Sequence, residues 1–194
     1  MSHSELSILI PAAGTSQRLG QAKQLVQHKG SPLIQNAVNT AHSLHPHEII
    51  VVTGANAEAV ENAVLRPPVR WIHNPHWSTG MGGSIALGAT AISPESSGLM
   101  ILLCDQWRIH AGDLKTLADT WQSNPESIVC ARAEGINMPP VIFPSSCFNE
   151  LKQLQGSTGA RSLFDKHPHL LQSVSIKNAA IDLDTQTQLD NMEE

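Results

Sequence analysis

Apolar positions along the chain follow two rhythms that take turns. "LSILI", "EIIVVTG", "VRWIHN", "GLMILLCDQ", "SIVCARA", "PPVIFP" and "LLQSVSI" are short, dense apolar runs of the kind that form strands covered on both faces, and "AAIDLD" reads as one more short strand. Between them the apolar residues recur every three or four positions. In "SPLIQNAVNTAHSL", Leu33, Ile34, Ala37, Val38, Ala41 and Leu44 fall on one helical face, with Ser31 as the cap and Pro32 at the first helical position. "NAEAVENAVL", "GGSIALGATAI", "AGDLKTLADTWQ", "SSCFNELKQL", "TGARSLFDKH" and the terminal "TQTQLDNMEE" are the other expected helices, although Gly88 argues against the second of these. Strand and helix alternate almost throughout. That order predicts an α/β fold, a largely parallel sheet layered by helices.

The pattern contains no internal repeat, low-complexity tract or linker, and "RPPVR" is only a turn, so residues 1–194 are expected to form a single domain. Apolar residues at 41% and charged residues at 15% give an ordinary globular balance. A net charge of −5 argues against a nucleic-acid-binding surface, which is usually basic. An anionic ligand must then be held by local cations, a metal or backbone amides. No apolar stretch reaches the roughly 20 residues that span a bilayer. The start, "MSHSELSILIPAAG", lacks the basic region of a signal peptide and leads straight into a glycine turn, so a cytoplasmic protein with no membrane partner is expected. Cys104, Cys130 and Cys147 are odd in number with no C-x-x-C pair, which fits free, buried thiols better than disulfides or zinc.

The chemistry begins where the first strand ends, at "PAAGTSQRLGQAKQL". Ligands of open α/β sheets sit beyond the carboxyl ends of strands. Ala12, Ala13 and Gly14 carry almost no side chain, so their backbone N–H groups can approach phosphate oxygens. Arg18 offers a bidentate fork and Lys23 a mobile point charge. The segment is not a P-loop: five residues separate Gly14 from Gly20, and no Lys-Ser/Thr pair follows. It is not a dinucleotide fingerprint either, because Thr15 and Ser16 stand where the second glycine belongs. Spacing alone leaves a plain glycine turn with two solvated cations open. Asp105 closes the most apolar strand, where a carboxylate needs a cationic partner. Asp184 lies near the C-terminus, with Asp182 two residues earlier on the same face of the expected strand. As bland alternatives, Asp105 would cap a turn and Asp184 the last helix.

Six segments in order resemble the signature of nucleotidyltransferases, in particular the molybdenum cofactor cytidylyltransferases and their guanylyl relatives. "PAAGTSQRLGQAKQL" is similar to L-A-A-G-x-(S/G)-x-R-M-G-x-x-K-x-L, "NPHWSTGMGGSIALG" to N-P-x-W-x-x-G-M-x-x-S-L-x-x-G, and "LLCDQWRI" to L-x-G-D-Q-P-x-V. "PPVIF", "GSTGARSLF" and "IDLDTQTQL" resemble the P-V-L-F, G-D-x-G-A-R-x-L and D-I-D-T-P-E-D-L segments. The resemblance implies a Rossmann-like three-layer α/β/α fold with a mostly parallel mixed sheet, as in nucleotide-diphospho-sugar transferases. It implies a Mg²⁺-dependent enzyme that moves a nucleotidyl group, CMP from CTP first, onto the phosphate of molybdopterin with release of pyrophosphate. A molybdenum hydroxylase would receive the product. In site terms it implies nucleotide contacts from Ala12, Ala13, Gly14, Arg18, Lys23, Gly80, Met81 and Ser84, catalysis by Arg18, Lys23 and Asp105, and Mg²⁺ held by Asp105 and Asp184. Arg161 would touch the pterin substrate or its phosphate.

The chain departs from the signature at several points. Pro11 replaces a leucine associated with nucleotide choice, which leaves GTP open beside CTP. Cys104, Trp107 and Ser157 replace glycine, proline and aspartate in segments that shape the acceptor pocket. Another phosphorylated small molecule as acceptor therefore stays open, as does a maturation factor that binds the cofactor without catalysis. Trp77 and Trp107 are equally compatible with a pterin wall and with core packing, His73 and His76 with plain loop histidines.

Overall fold

Along the first strand, β1 (His3–Pro11), Leu6, Ile8 and Ile10 enter one apolar cluster while Leu9 enters another on the opposite face. The period of two puts a core on both sides of one strand, so helices must cover both. The computed structural model describes residues 3–193; Glu194, the end of the expected terminal helix, lies outside them. The remaining strands are β2 (Gln27–His28), β3 (Ser31–Pro32), β4 (Pro46–Thr53), β5 (Arg70–His73), β6 (Gly98–Ile101), β7 (Ile128–Ala133), β8 (Ile136–Pro144) and β9 (Leu171–Ser175). The helices are α1 (Leu33–His42), α2 (Ala57–Asn62), α3 (Met81–Ala91), α4 (Ala111–Ser123), α5 (Phe148–Leu151), α6 (Ser162–Lys166) and α7 (Gln186–Glu193).

Seven strands form one sheet in the order β5-β4-β1-β6-β8-β7-β9, and β2 and β3 make a separate small ribbon. β8 runs antiparallel to both its neighbours, whereas the other four pairings are parallel. The sheet is thus mixed and mostly parallel, as expected. One face carries α1, α2 and α4, through Ile34, Val38, Val60, Leu114 and Leu117. The other carries α3, α5 and α6, through Ile85, Ala89, Leu151, Leu163 and Phe164. Gly88, which counts against a helix by propensity, sits in α3 where a Cβ would stand 2.4 Å from Leu9 Cδ1. Its absence lets helix and strand approach closely. Among the described residues no helix is long and apolar enough to cross a membrane.

Three expectations need correction. "GLMILLCDQ" is a strand only as far as Ile101. Ile101 pairs with Val141, so the next ladder partners would be Pro140 and Pro139, which have no N–H to donate. The chain therefore leaves the sheet and reaches Asp105 as a loop. "AAIDLD" is no strand: a 3₁₀ turn covers Lys177–Ala180, and the following residues run free of the sheet. Leu183 instead joins Leu19, Val26, Leu33, Leu189 and Met192 in a third cluster that pins α7 against the first loop. Ser31 is not the cap of α1 either. It pairs in the β2–β3 ribbon, and Pro32 occupies the cap position with no side-chain bond.

Candidate active site

The segments that follow β1, β5 and β6 line one cleft of about 410 Å³. Its floor is the corner after β1. Ala13, Gly14, Thr15, Ser16 and Gln17 line the cleft, and among the described residues none of their backbone N–H groups has an acceptor. Ser16 adopts a left-handed conformation with φ 55°, which helps successive amides face one hollow. The corner is braced from behind by a residue the sequence reading passed over. Gln24, only 2% exposed, donates through Nε2 to the carbonyls of Ala12 at 3.1 Å and Gly14 at 3.0 Å. Lys23 N donates to Ser16 Oγ at 3.2 Å, tying the two ends of the loop together.

Ala12 is the exception among the expected nucleotide contacts. Its N–H donates to the Val52 carbonyl at 2.8 Å, its carbonyl is taken by Gln24, and its methyl is buried. It continues the pairing of β1 with β4, and the free amides begin one residue later.

Over this floor the distant acids meet. Lys23 Nζ donates to Asp105 Oδ2 and to Asp184 Oδ1, the latter at 3.1 Å, and Arg18 donates to Asp184 Oδ2 at 2.8 Å. Burial would lower the Lys23 pKa, but the charge of Asp105 and hydrogen bonds to both acids outweigh it and hold the ammonium above its ordinary range. Asp184 is available because it does not cap α7. Thr185 does: Gln188 N donates to Thr185 Oγ1 at 3.3 Å, and Thr185 N donates to Gln188 Oε1 at 2.8 Å, a reciprocal box. Asp182 accepts from Gln188 Nε2 at 3.4 Å, and burial, followed by the charges of Asp105 and Asp184, raises its pKa. Of the two C-terminal acids, Asp184 is the one beside Lys23.

Asp105 is itself only 9% exposed, and its Oδ1 is buried without a hydrogen-bond partner. An orphaned carboxylate oxygen of this kind suits a cation. Among the described residues no three His, Cys, Asp or Glu side chains converge as a ready-made metal cage. Two carboxylates completed by phosphate oxygens and water match how Mg²⁺ is commonly held. The donor set therefore fits a divalent ion that arrives with a phosphate ligand.

The third wall is the start of α3. Gly80, Met81 and Ser84 line the cleft with Trp77, which packs over Gly54. Ser84 is 3% exposed and accepts at Oγ from Asn74 Nδ2 at 3.0 Å, while Asn74 Oδ1 accepts from His76 N at 2.9 Å. Asn74 thereby fixes the serine's rotamer, a role invisible until the fold brings the two together. Gly80 has φ 120°, and a Cβ there would lie 2.4 Å from the Gly156 carbonyl oxygen. Gly82 N donates to that same oxygen at 2.9 Å.

Arg161 does not join this site. The backbone of "QGST" docks on α3, and Arg161 follows on the outer side, exposed, lining a separate hollow with Ile136, Asn137, Phe164 and Pro168. Trp107 is also elsewhere: it packs on the third cluster and edge-on to His28 with ring centroids 4.8 Å apart. Behind it Gln106, 6% exposed, donates to the carbonyls of Pro139 at 2.8 Å and Ala179 at 2.7 Å, and Leu183 N donates to the Asp105 carbonyl at 3.0 Å. These bonds clamp the Asp105 loop to the segment that carries Asp184. Cys104 is buried, and burial followed by the charge of Asp105 pushes its pKa up to about 12, which removes it as a nucleophile.

Residues 8–171 match the model of the MobA-like NTP transferase domain. Purine catabolism protein PucB of Bacillus subtilis is 32% identical over 78% of this chain and 77% of its own length. Nicotine blue oxidoreductase of Paenarthrobacter nicotinovorans is 28% identical over 92% of this chain and 91% of its own. Among solved structures, Rv0371c of Mycobacterium tuberculosis H37Rv superposes with a TM-score of 0.86 at 22% identity, covering 100% of both chains. A second structure of it, a complex with manganese, superposes at 0.82.

Proposed function

The chain belongs to the MobA-like NTP transferase domain family and is a nucleotidyltransferase; on that premise we propose that it transfers CMP from CTP to the phosphate of a molybdopterin-type acceptor, in a Mg²⁺-dependent reaction. The acceptor phosphate oxygen forms a bond to the α-phosphorus, the bond from that phosphorus to the bridging oxygen breaks, and pyrophosphate leaves with the electron pair. The chemistry calls for alignment and charge neutralisation, with no covalent group from the protein. The observation that carries the reading is the meeting of Lys23 with Asp105 and Asp184 above five free backbone amides.

In this reading the amides of residues 13–17 cradle the β- and γ-phosphates. Arg18, with its side chain 76% exposed, folds onto the departing pyrophosphate. Lys23 follows charge on the α-phosphate as it moves. Gly80, Met81 and Ser84 face the base, and Ser84 keeps one orientation through Asn74. Asp105 and Asp184 would hold Mg²⁺, which supplies neutralisation of phosphate charge. The product would pass to a molybdenum hydroxylase, and Cys104, which lines the cleft beside Asp105, would shape how the acceptor approaches.

The test is pyrophosphate release with Mg²⁺, each of the four nucleoside triphosphates, and as acceptor either molybdopterin, with or without molybdenum, or another phosphorylated small molecule. Release with CTP and molybdopterin alone supports the reading. Release with GTP, or only with another phosphorylated acceptor, overturns the choice of nucleotide or acceptor and leaves the transfer itself standing.

A further inference from the structure

The Lys23 ammonium and the two carboxylates form a closed arrangement that bears on how the metal gets in. Lys23 Nζ contacts one oxygen of Asp105 and one of Asp184, and Arg18 takes the second oxygen of Asp184. The pair of acids is thus already neutralised by two cations. A divalent ion gripping both carboxylates needs the space Lys23 Nζ occupies, and an ion at the orphaned Asp105 Oδ1 alone would face the ammonium across one carboxyl group. Like charges at that separation repel.

Only the end of Lys23 is free to leave. Its backbone N–H is bonded to Ser16, and the neighbouring Gln24 is buried and bonded to the corner carbonyls. Its four-carbon stem, however, ends in the same cleft that the free amides of residues 13–17 line. A triphosphate on those amides offers the ammonium a new set of anionic oxygens within a side chain's swing.

From this we infer that Lys23 is the resident placeholder of the metal position, so that the site binds a divalent cation tightly only together with a nucleoside triphosphate. The inference rests on the metal-holding role proposed above for Asp105 and Asp184. Without the nucleotide, ammonium and metal compete for the same two acids. With it, Lys23 moves to phosphate, the carboxylates are released, and the phosphate oxygens complete the ion's shell. Lys23 therefore couples the two ligands, and by linkage the metal strengthens nucleotide binding by the factor by which nucleotide strengthens metal binding.

Mn²⁺ binding, read by the loss of free-ion electron paramagnetic resonance signal, tests this without turnover. Wild type is expected to bind Mn²⁺ weakly alone and at least about tenfold more tightly with a non-hydrolysable CTP analogue. Lys23→Met should bind Mn²⁺ about tenfold more tightly than wild type in the absence of nucleotide, and gain much less from the analogue. In thermal melts the variant, with two acids left facing each other, should be stabilised by Mn²⁺ more than wild type is. Lys23→Gln, which keeps a hydrogen-bond donor, serves if the methionine variant does not fold. If Lys23 variants bind Mn²⁺ alone no more tightly than wild type, while wild type binds it with the analogue, the placeholder role is wrong and the metal site stands. If neither wild type with the analogue nor the variants bind Mn²⁺, or if Asp105→Asn binds it as well as wild type does, the metal site itself is misassigned and the inference falls with it.

Discussion

The two halves of the sheet use opposite strategies. On the β5-β4-β1-β6 side all strands run the same way, and the segments after β1, β5 and β6 meet at one cleft. On the β8-β7-β9 side the reversed β8 breaks that convergence, and the hollow there, with Arg161, gathers no acid pair and no amide nest. Yet the second half is not idle. Its segments hold Gln106 at Pro139 and Ala179, and its Gly156 carbonyl seats the start of α3. One half presents the reacting groups, the other fixes their spacing.

Substitutions should therefore separate the halves by kind of defect. Asp105→Asn should lower kcat by on the order of 10³-fold, since it removes charge at the reacting phosphate, and should also lower the melting temperature, since it takes one acid from the part-buried Lys23 ion pair. Steady-state pyrophosphate release and a thermal scan check both. Lys23→Met should cost about 10²-fold in kcat and much less in nucleotide affinity. Gly80→Ala, where the new methyl would meet a backbone carbonyl at positive φ, should destabilise by about 2 kcal/mol, or roughly 4–8 °C in melting temperature. Gln106→Leu leaves the buried Ala179 carbonyl and the part-buried Pro139 carbonyl without their donor and should cost about 2 kcal/mol while lowering kcat more than it raises KM for the nucleotide. A pure packing residue would lower stability alone. Arg161→Ala should leave transfer within about twofold and stability within about 0.5 kcal/mol. Should it abolish transfer instead, the division between halves drawn here would fail. Finally, native protein at pH 8 should resist alkylation at Cys104, whose thiol is pushed up to about 12, and mass spectrometry after denaturation should find it reactive.

Much of the frame is legible in the chain because local pattern and environment agree. The period of two in Leu6, Ile8 and Ile10 and the helical stripe of Leu33, Ile34, Ala37, Val38 and Ala41 both end buried as read. "AAIDLD" misleads because Ile181 and Leu183 alternate like a strand, while a separate cluster claims Leu183 and its N–H is taken by the Asp105 carbonyl. The length of β6 is set by the two prolines on its partner, information that lies about forty residues away. In the site, the glycine corner, the two cations and the two acids stand out by chemistry. Gln24, Asn74 and Gln106 do not, since an amide side chain looks the same whether it braces a phosphate corner or faces water. Their roles depend on carbonyls and hydroxyls that only the fold brings near.

The attachment of Asp184 has a consequence for local opening. Residues 183–192 hold to the body through Leu183, Leu189 and Met192 against Leu19, Val26 and Leu33, and no strand of the sheet runs through them. Fraying of that segment would carry one of the two acids away from the cleft while the sheet stays paired.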